Sequence, residues 1–104
     1  MGYIYMINRR FVHSQISSSM PAAAADLSAE PILLTTTGRE PVFRIMKRVY
    51  SFLDDWKASH PDTSVLLSVD AETAKIVNSY FHEMTSGDYD NFIMKDGEVR
   101  QYLI

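Results

Sequence analysis

The fold of this chain follows from one stretch, residues 32–69, which reads ILLTTTGREPVFRIMKRVYSFLDDWKASHPDTSVLLSV. It holds two apolar, β-branched runs, at residues 32–37 and 65–69, and each has the length and composition of a buried strand. Between them, apolar residues recur at spacings of three and four from residue 42 to residue 56, which indicates an amphipathic helix that begins after Pro41 and ends at His60 and Pro61. Because right-handed crossovers join parallel strands through helices, the stretch predicts a βαβ unit.

A second helix follows this unit. Asp70 is a good N-cap, and an apolar stripe that runs through Val77 and Phe81 to Met84 predicts a helix that stops at Ser86-Gly87. We expect the two helices to pack on each other and on the sheet, with Trp56 largely buried. The residues that we expect in this packing are Val42, Ile45, Val49, Leu53, Val77, Phe81 and Met84.

The C-terminal tail, residues 91–104, contains the dipeptide Asp96-Gly97, which favours a type I′ turn between two strands. The sequence therefore predicts a terminal antiparallel hairpin at one edge of the sheet. Its register would place Lys95 opposite Glu98 and Met94 opposite Val99, and both pairs are favourable across antiparallel strands.

The first thirty residues are less regular. Residues 3–7 can form a strand, whereas the small residues 17–25 indicate a flexible connector and not a packed element. Tyr3, Tyr5 and Phe11 are candidate partner-binding residues, because an apolar end beyond a connector can pair with the sheet edge of a neighbouring chain. The alternative is that this segment packs on its own domain. On the docking-arm interpretation, residues 32–104 should fold without residues 1–20.

These elements define a single small α/β domain. We expect an N-terminal strand and flexible connector at residues 1–30. The α/β domain itself would span residues 31–104, with a βαβαββ core, parallel central strands and the C-terminal antiparallel hairpin.

Composition narrows the function classes. The 104 residues carry a formal net charge of -3, which gives no general attraction to nucleic acid or to anionic lipid. The absence of cysteine excludes disulfides, thiolate metal sites and thiol nucleophiles. No apolar run approaches the roughly 18 residues of a membrane span, and no targeting segment is visible. We expect a cytoplasmic protein without a membrane partner, located in host cytoplasm or a virion if a phage encodes it.

The order of elements over residues 31–104 resembles the C-terminal half of GNAT-type N-acetyltransferases. Residues 64–77 look like that family's late strand and following helix, and residues 92–99 look like its closing hairpin. The chain is most similar to the shortened, degenerate members among short-tailed bacteriophage proteins, which include an internal virion protein. The resemblance implies a worn-down acetyltransferase scaffold.

Two departures from the family pattern bear on activity. Active members bind the pyrophosphate of acetyl-CoA with a glycine-rich loop at a helix N-terminus. Here residues 37–42 read TGREPV, in which only Gly38 and Arg39 suit an anion, while Glu40 adds a repelling charge and Pro41 removes an N–H donor. The family's catalytic tyrosine falls near Asn78 in the gapless register, and Tyr80 matches it only after a shift of two residues.

Other residue patterns give further candidates. Arg44, Lys47 and Arg48 form a basic patch on the first helix, which is either an ordinary solvated face or a surface for an acidic protein or RNA. The histidines lack the paired spacing of a zinc site, so we expect no metal. Adjacent acids such as Asp54-Asp55 do not face each other on a helix, and Ser17-Ser18-Ser19 fits a connector better than a nucleophile.

The sequence therefore predicts a noncatalytic interaction or assembly protein, either a phage accessory, virion or host-inhibitor protein, that binds a protein partner or itself and needs no cofactor. The alternative is a small acetyl-CoA-dependent N-acetyltransferase, and a further alternative is an RNA-binding domain that uses the basic helix face.

Overall fold

A four-stranded mixed sheet forms the centre of the computed structural model, which describes residues 2–8, 22–27, 30–36 and 38–104. The strands are β1 (Tyr3–Asn8), β2 (Ile32–Leu34), β3 (Val65–Val69) and β4 (Val99–Leu103). The helices are α1 (Ala22–Asp26), α2 (Val42–Ser59), α3 (Ala71–Phe81) and α4 (Ser86–Asp90). The strand order is β2-β3-β1-β4, so the chain has the predicted α/β fold with parallel central strands.

The predicted βαβ unit is confirmed. β2 and β3 are parallel neighbours joined through α2, with Ile32 opposite Leu67 in the register. β2 is shorter than the apolar run that predicted it and ends at Leu34. The reason is Thr36, whose backbone N–H and hydroxyl both donate to Asp70 Oδ2, at 2.8 and 2.7 Å, and so leave the strand ladder.

β1 is a central strand of the sheet. It pairs in parallel with β3 on one side and antiparallel with β4 on the other. Alternation along the strand places Ile4 and Met6 on the face covered by α2 and α3, and Tyr5 and Ile7 on the opposite face, and all four side chains are buried. The docking-arm interpretation is therefore wrong for residues 3–8, because this segment packs in its own domain.

Part of the predicted connector is a helix. Residues 22–26 form α1, and the fully buried Ala24 packs against Tyr5, Ile7 and Leu66 on the face of the sheet opposite α2. Alanine has the highest intrinsic helix propensity, and its small side chain allows a helix to approach a sheet closely. The rest of the connector, including residues 17–21, lies outside the described residues.

The two long helices pack largely as predicted. Ile45, Val49 and Leu53 of α2 are buried with Val77 of α3 in one core. Asp70 caps α3, since its Oδ1 accepts a hydrogen bond of 2.8 Å from the Thr73 backbone N–H. One expectation was wrong, because Val42 is 46% exposed. Trp56 packs against the core as a partly buried side chain and stacks on His60 near the end of α2, with ring centroids 4.1 Å apart.

The second predicted helix is shorter than expected, and a separate helix begins where it was predicted to stop. α3 ends at Phe81, and α4 begins after Thr85 with a capping box. Thr85 Oγ1 accepts from the Asp88 backbone N–H at 3.0 Å, and Asp88 Oδ2 accepts from the Thr85 N–H at 3.1 Å. This reciprocal pair starts a new helix at Ser86, where the sequence predicted a stop.

A turn at Asp96-Gly97 is confirmed, but the predicted hairpin strand before it, with Met94 opposite Val99, is wrong. The Glu98 N–H donates to the Lys95 carbonyl at 2.9 Å, and Gly97 takes a φ of +81°. Residues 91–94 form no strand. Instead, β1 pairs with β4. Asn8 fixes this arrangement: its side-chain Nδ2 donates to the Met94 carbonyl at 2.6 Å, and its backbone carbonyl accepts from the Gly97 N–H at 2.8 Å.

None of the helices in the described ranges combines the length and the apolar character that crossing a bilayer requires.

Candidate functional site

The candidate catalytic tyrosine is held in a hydrogen bond. The Tyr80 hydroxyl donates to Asp54 Oδ1 at 2.5 Å. Desolvation, followed by this bond and the charge of Asp54, raises the pKa of Tyr80 to about 12. A phenol with that pKa holds its proton tightly at neutral pH and is poorly matched to general acid or base catalysis there.

The loop before α2 is arranged around an ion pair. Arg48 donates to both Glu40 carboxylate oxygens, at 2.8 and 3.2 Å, and also to the Thr35 carbonyl at 2.9 Å. Gly38 and Arg39 precede this pair and line neither of the two cavities described below. Arg48 is therefore committed to the loop, and the predicted basic patch retains Arg44 and Lys47 as exposed cations on α2.

Two of the aromatic residues predicted to bind a partner, Tyr3 and Tyr5, pack within the domain. Tyr5 is buried, and Tyr3 is half-buried with its backbone N–H bonded to Ser64 Oγ at 3.0 Å. Phe11 lies outside the described residues, as do His13 and Ser17-Ser18-Ser19. The structure does not bring Tyr3 and Tyr5 together with Arg44 and Lys47, since the two tyrosines pack on the face of the sheet opposite α2.

A polar crevice of about 430 Å³ lies beyond the carboxyl ends of the three parallel strands, and we call it the carboxyl-end crevice. β1 is followed by α1 on one face of the sheet and β3 by α3 on the other, an arrangement that creates ligand sites in open α/β sheets. The residues that line it are Asn8, Thr36, Asp70, Ala71, Glu72 and Asp96.

Asp70, at the centre of the carboxyl-end crevice, is used for structure. Its carboxylate accepts three hydrogen bonds, two from Thr36 and one from Thr73. Partial burial raises the pKa of Asp70, but these bonds outweigh it and hold the pKa below its ordinary value. The carboxylate joins the end of β2 to the start of α3, so its bonding capacity serves the fold.

A larger groove of about 600 Å³ runs between α2, α3 and α4. We call it the α2–α4 groove. One wall consists of residues spaced by one helical turn along α2, and the other is formed by the end of α3, the segment after it and α4. The lining residues are Val42, Met46, Tyr50, Ser79, Glu83, Met84, Thr85, Ser86, Tyr89 and Asp90.

The rim of the groove on α2 is apolar and exposed. Val42 lines the groove and is 46% exposed, and Phe43 beside it is 71% exposed. Phe43 lies three residues before Met46 and seven before Tyr50, so helical geometry places it on the flank that continues outward from the groove wall. A phenylalanine in this position adds a large apolar surface to the edge of the groove.

The opposite rim is acidic. Glu83 and Asp90 line the groove and are exposed, and within the described part of the chain neither carboxylate has a hydrogen-bond or ion-pair partner. Lys75 is engaged elsewhere, with its Nζ 3.6 Å from Glu72 and 5.0 Å from the centre of the Tyr89 ring. The groove thus has a mainly apolar wall on α2, while the opposite wall combines Met84 and Tyr89 with polar side chains and with two carboxylates that no described residue pairs.

Hydrogen bonds from the core position the groove's interior side chains. The Tyr50 hydroxyl lies 2.9 Å from Ser79 Oγ, which donates to the Ile76 carbonyl at 2.7 Å. Asn78 accepts from the buried Tyr102 hydroxyl at 2.7 Å and donates to the Met84 sulfur at 3.4 Å. Met84 is therefore tied to the core through Asn78, while Met46 lies on the other wall of the groove and makes no polar side-chain contact with a described residue.

Comparison with protein families, curated protein sequences and solved structures finds no match to this chain. Among the described residues, no group of three or more His, Asp or Glu side chains is arranged to hold a metal ion. Both histidines of this part of the chain contact aromatic rings: His60 stacks on Trp56, and the His82 ring lies beside Tyr102 at an angle of 49°.

Sequence reasoning missed the α2–α4 groove, although one signal was present. Phe43 lies two residues before Ile45 and six before Val49, outside the spacing of the buried residues of α2, so its side chain has no place in the core. The opposite wall could not be found in this way, because it follows from the end of α3 at Phe81 and the start of α4 after the Thr85 capping box.

Proposed function

We propose that this chain is a noncatalytic protein-interaction domain that binds a helical segment of a protein partner in the α2–α4 groove. The observation that carries the proposal is the combination of exposed apolar residues on one rim, Val42 and Phe43, with Glu83 and Asp90 on the other, whose carboxylates no described residue pairs. Apolar surface of this kind, bordered by polar residues, is typical of an interaction site.

The nature of the walls favours a helix over an extended peptide. The α2 wall is a long helix whose backbone groups are bonded within the helix, so this wall offers no ladder of N–H and C=O groups to an extended chain. A helix satisfies its own backbone and needs only side-chain contacts, which is the helix-in-groove mode of recognition. Met46 and Met84 suit this role, because flexible thioethers adapt to apolar side chains of different shape.

Three features of the described residues argue against catalysis as the alternative. Tyr80 has a pKa raised to about 12, Asp70 is committed to the fold, and Glu40 keeps a carboxylate directly before the N-terminus of α2. An acetyl-CoA-dependent N-acetyltransferase would need an anion site at that helix end. RNA binding would need a larger patch than Arg44 and Lys47, since Arg48 is paired.

The experiment is a titration followed by methyl NMR, with a panel of amphipathic helical peptides that share apolar anchors and carry either Lys or Glu beside them. We expect the Lys-bearing peptides to shift the Met46 and Met84 methyl signals. Met84→Asp should abolish this binding, whereas Ile93→Asp should leave it intact because Ile93 is 76% exposed outside the groove. Thermal denaturation with acetyl-CoA tests the alternative, since a ligand that binds the native state raises its stability. A shift with acetyl-CoA and no response to any peptide would contradict the proposal.

A further inference from the structure

The flank of α2 next to the groove carries an exposed apolar residue, and two exposed cations continue around the helix from it. Phe43 and Lys47 lie four residues apart on one flank of α2, and Arg44 lies three residues before Lys47. All three side chains are exposed, and within the described residues no ion pair engages Arg44 or Lys47. This flank has the composition that the proposed function requires of a partner, namely an apolar anchor on a helix with cations beside it.

The opposite rim has the complementary composition. Glu83 and Asp90 provide two exposed carboxylates beside the apolar surface of Met84. One half of this surface therefore consists of the exposed Phe43 with the cations Arg44 and Lys47 near it. The other half is the groove, with the carboxylates of Glu83 and Asp90 at its rim. A surface with this arrangement can match itself across a two-fold axis, because an isologous interface brings each half against the other half of a second copy.

We propose that the occupant of the α2–α4 groove is a second copy of this chain. Phe43 of each protomer enters the groove of its partner, and Arg44 and Lys47 of each protomer face the partner's Glu83 and the partner's Asp90. The inference rests on the proposed function and adds to it the identity of the partner. It also accounts for the position of Phe43, which the core of its own protomer does not use.

The charges of the two rims allow a test with internal rescue. Sedimentation velocity of the full chain should show a dimer that dissociates on dilution and as the salt concentration rises, because salt screens exposed charge pairs. The double variant Glu83→Lys/Asp90→Lys should be monomeric, and so should Arg44→Glu/Lys47→Glu, since each places like charges on both halves of the interface. An equimolar mixture of the two variants should form a heterodimer, because every contact then joins opposite charges.

A second pair of variants separates the groove from other apolar surface. Phe43→Ser should weaken dimerisation by about tenfold or more, in the range of a buried aromatic anchor. The matched control Ile93→Ser removes an equally exposed apolar side chain outside the groove and should leave the dimer unchanged. Circular dichroism of each variant confirms that it is folded, and Glu83→Gln/Asp90→Asn replaces the charge reversal if the lysine variant fails to fold.

The outcomes distinguish this inference from the proposed function. A wild-type chain that stays monomeric near millimolar concentration overturns the second copy as the occupant, and so does a dimer that Phe43→Ser leaves intact. If the helical peptides still shift Met46 and Met84 in either case, the groove remains an interaction site for a different protein. If neither self-association nor peptide binding occurs, both proposals fail.

Discussion

β1 and the first turns of α2 both carry runs of apolar residues, but the protein uses them in opposite ways. Ile4 in β1 is 0% exposed and lies between two neighbouring strands, whereas Phe43 in α2 is 71% exposed at the rim of a groove. The sequence suggested partner binding for the N-terminal segment and core packing for the apolar residues of α2. The difference shows that apolar content identifies a segment that must be covered, while topology decides whether its own domain covers it.

The largest expected effect comes from truncating the two apolar residues in parallel. Ile4→Ala should reduce the free energy of unfolding by about 2–5 kcal/mol, because it leaves a cavity in the central strand. Phe43→Ala should change it by no more than about 0.5 kcal/mol in dilute solution, where the monomer leaves this side chain exposed. Urea denaturation of both variants measures the contrast. Equal losses would mean that Phe43 is covered within its own protomer.

Carboxylates show the same contrast between a residue used by the fold and one left exposed, with a smaller expected change in the free energy of unfolding. Asp70→Asn should cost about 1–3 kcal/mol at neutral pH, because three hydrogen bonds lose their charged acceptor. The folded-state pKa of Asp70 lies below its ordinary value, so its contribution is fully present above the unfolded pKa and is lost as the pH falls through the folded pKa. The stability difference between wild type and Asp70→Asn should therefore be constant above about pH 5 and narrow below about pH 4.

Denaturation of both proteins as a function of pH provides this measurement. Glu83→Gln is the matched control, because the described residues give Glu83 no partner. A difference between wild type and Asp70→Asn that persists unchanged at the lowest pH would show that the charge of Asp70 does not stabilise the fold.

The smallest expected effect concerns the exposed cations. Lys47→Ala should alter the free energy of unfolding by no more than about 0.5 kcal/mol, as is usual for a surface residue without a specific contact. Arg48→Ala should cost more than Lys47→Ala, since Arg48 joins Glu40 and the Thr35 carbonyl. Chemical denaturation of the two variants at low protein concentration compares them. Equal changes in the free energy of unfolding for the two variants would mean that the contacts of Arg48 with Glu40 and Thr35 do not stabilise the fold.

The elements set by local pattern were predictable from the sequence. The parallel β2 and β3, the buried stripe of α2 and the Asp70 cap depend on spacing and on neighbouring residues, and all three are confirmed. The pairing of β4 with β1 was not predictable, because it joins residues about a hundred positions apart and depends on Asn8 bonding to Met94 and Gly97. Local turn chemistry indicated the bend at Gly97 correctly but not which strand would lie beside β4.

The candidate site shows the same limit. Arg44 and Lys47 were identified as exposed cations, since charge on a helix face follows from periodicity. Their relation to Glu83 and Asp90 required the tertiary packing of α2 against α3, and the groove itself required α3 to end at Phe81. The docking-arm interpretation of residues 3–8 failed because no local pattern reveals that β1 is inserted between β3 and β4.

Four methionines allow the central claim to be tested within one sample. Met6 and Met94 are buried in the core, whereas Met46 and Met84 line the α2–α4 groove. The methyl NMR signals of Met46 and Met84 should move as the full chain is concentrated, as a second copy enters the groove, while those of Met6 and Met94 stay fixed. Signals of Met46 and Met84 that do not change up to millimolar concentration, or four signals that move together, would contradict the assignment of this groove as the interaction surface between two copies.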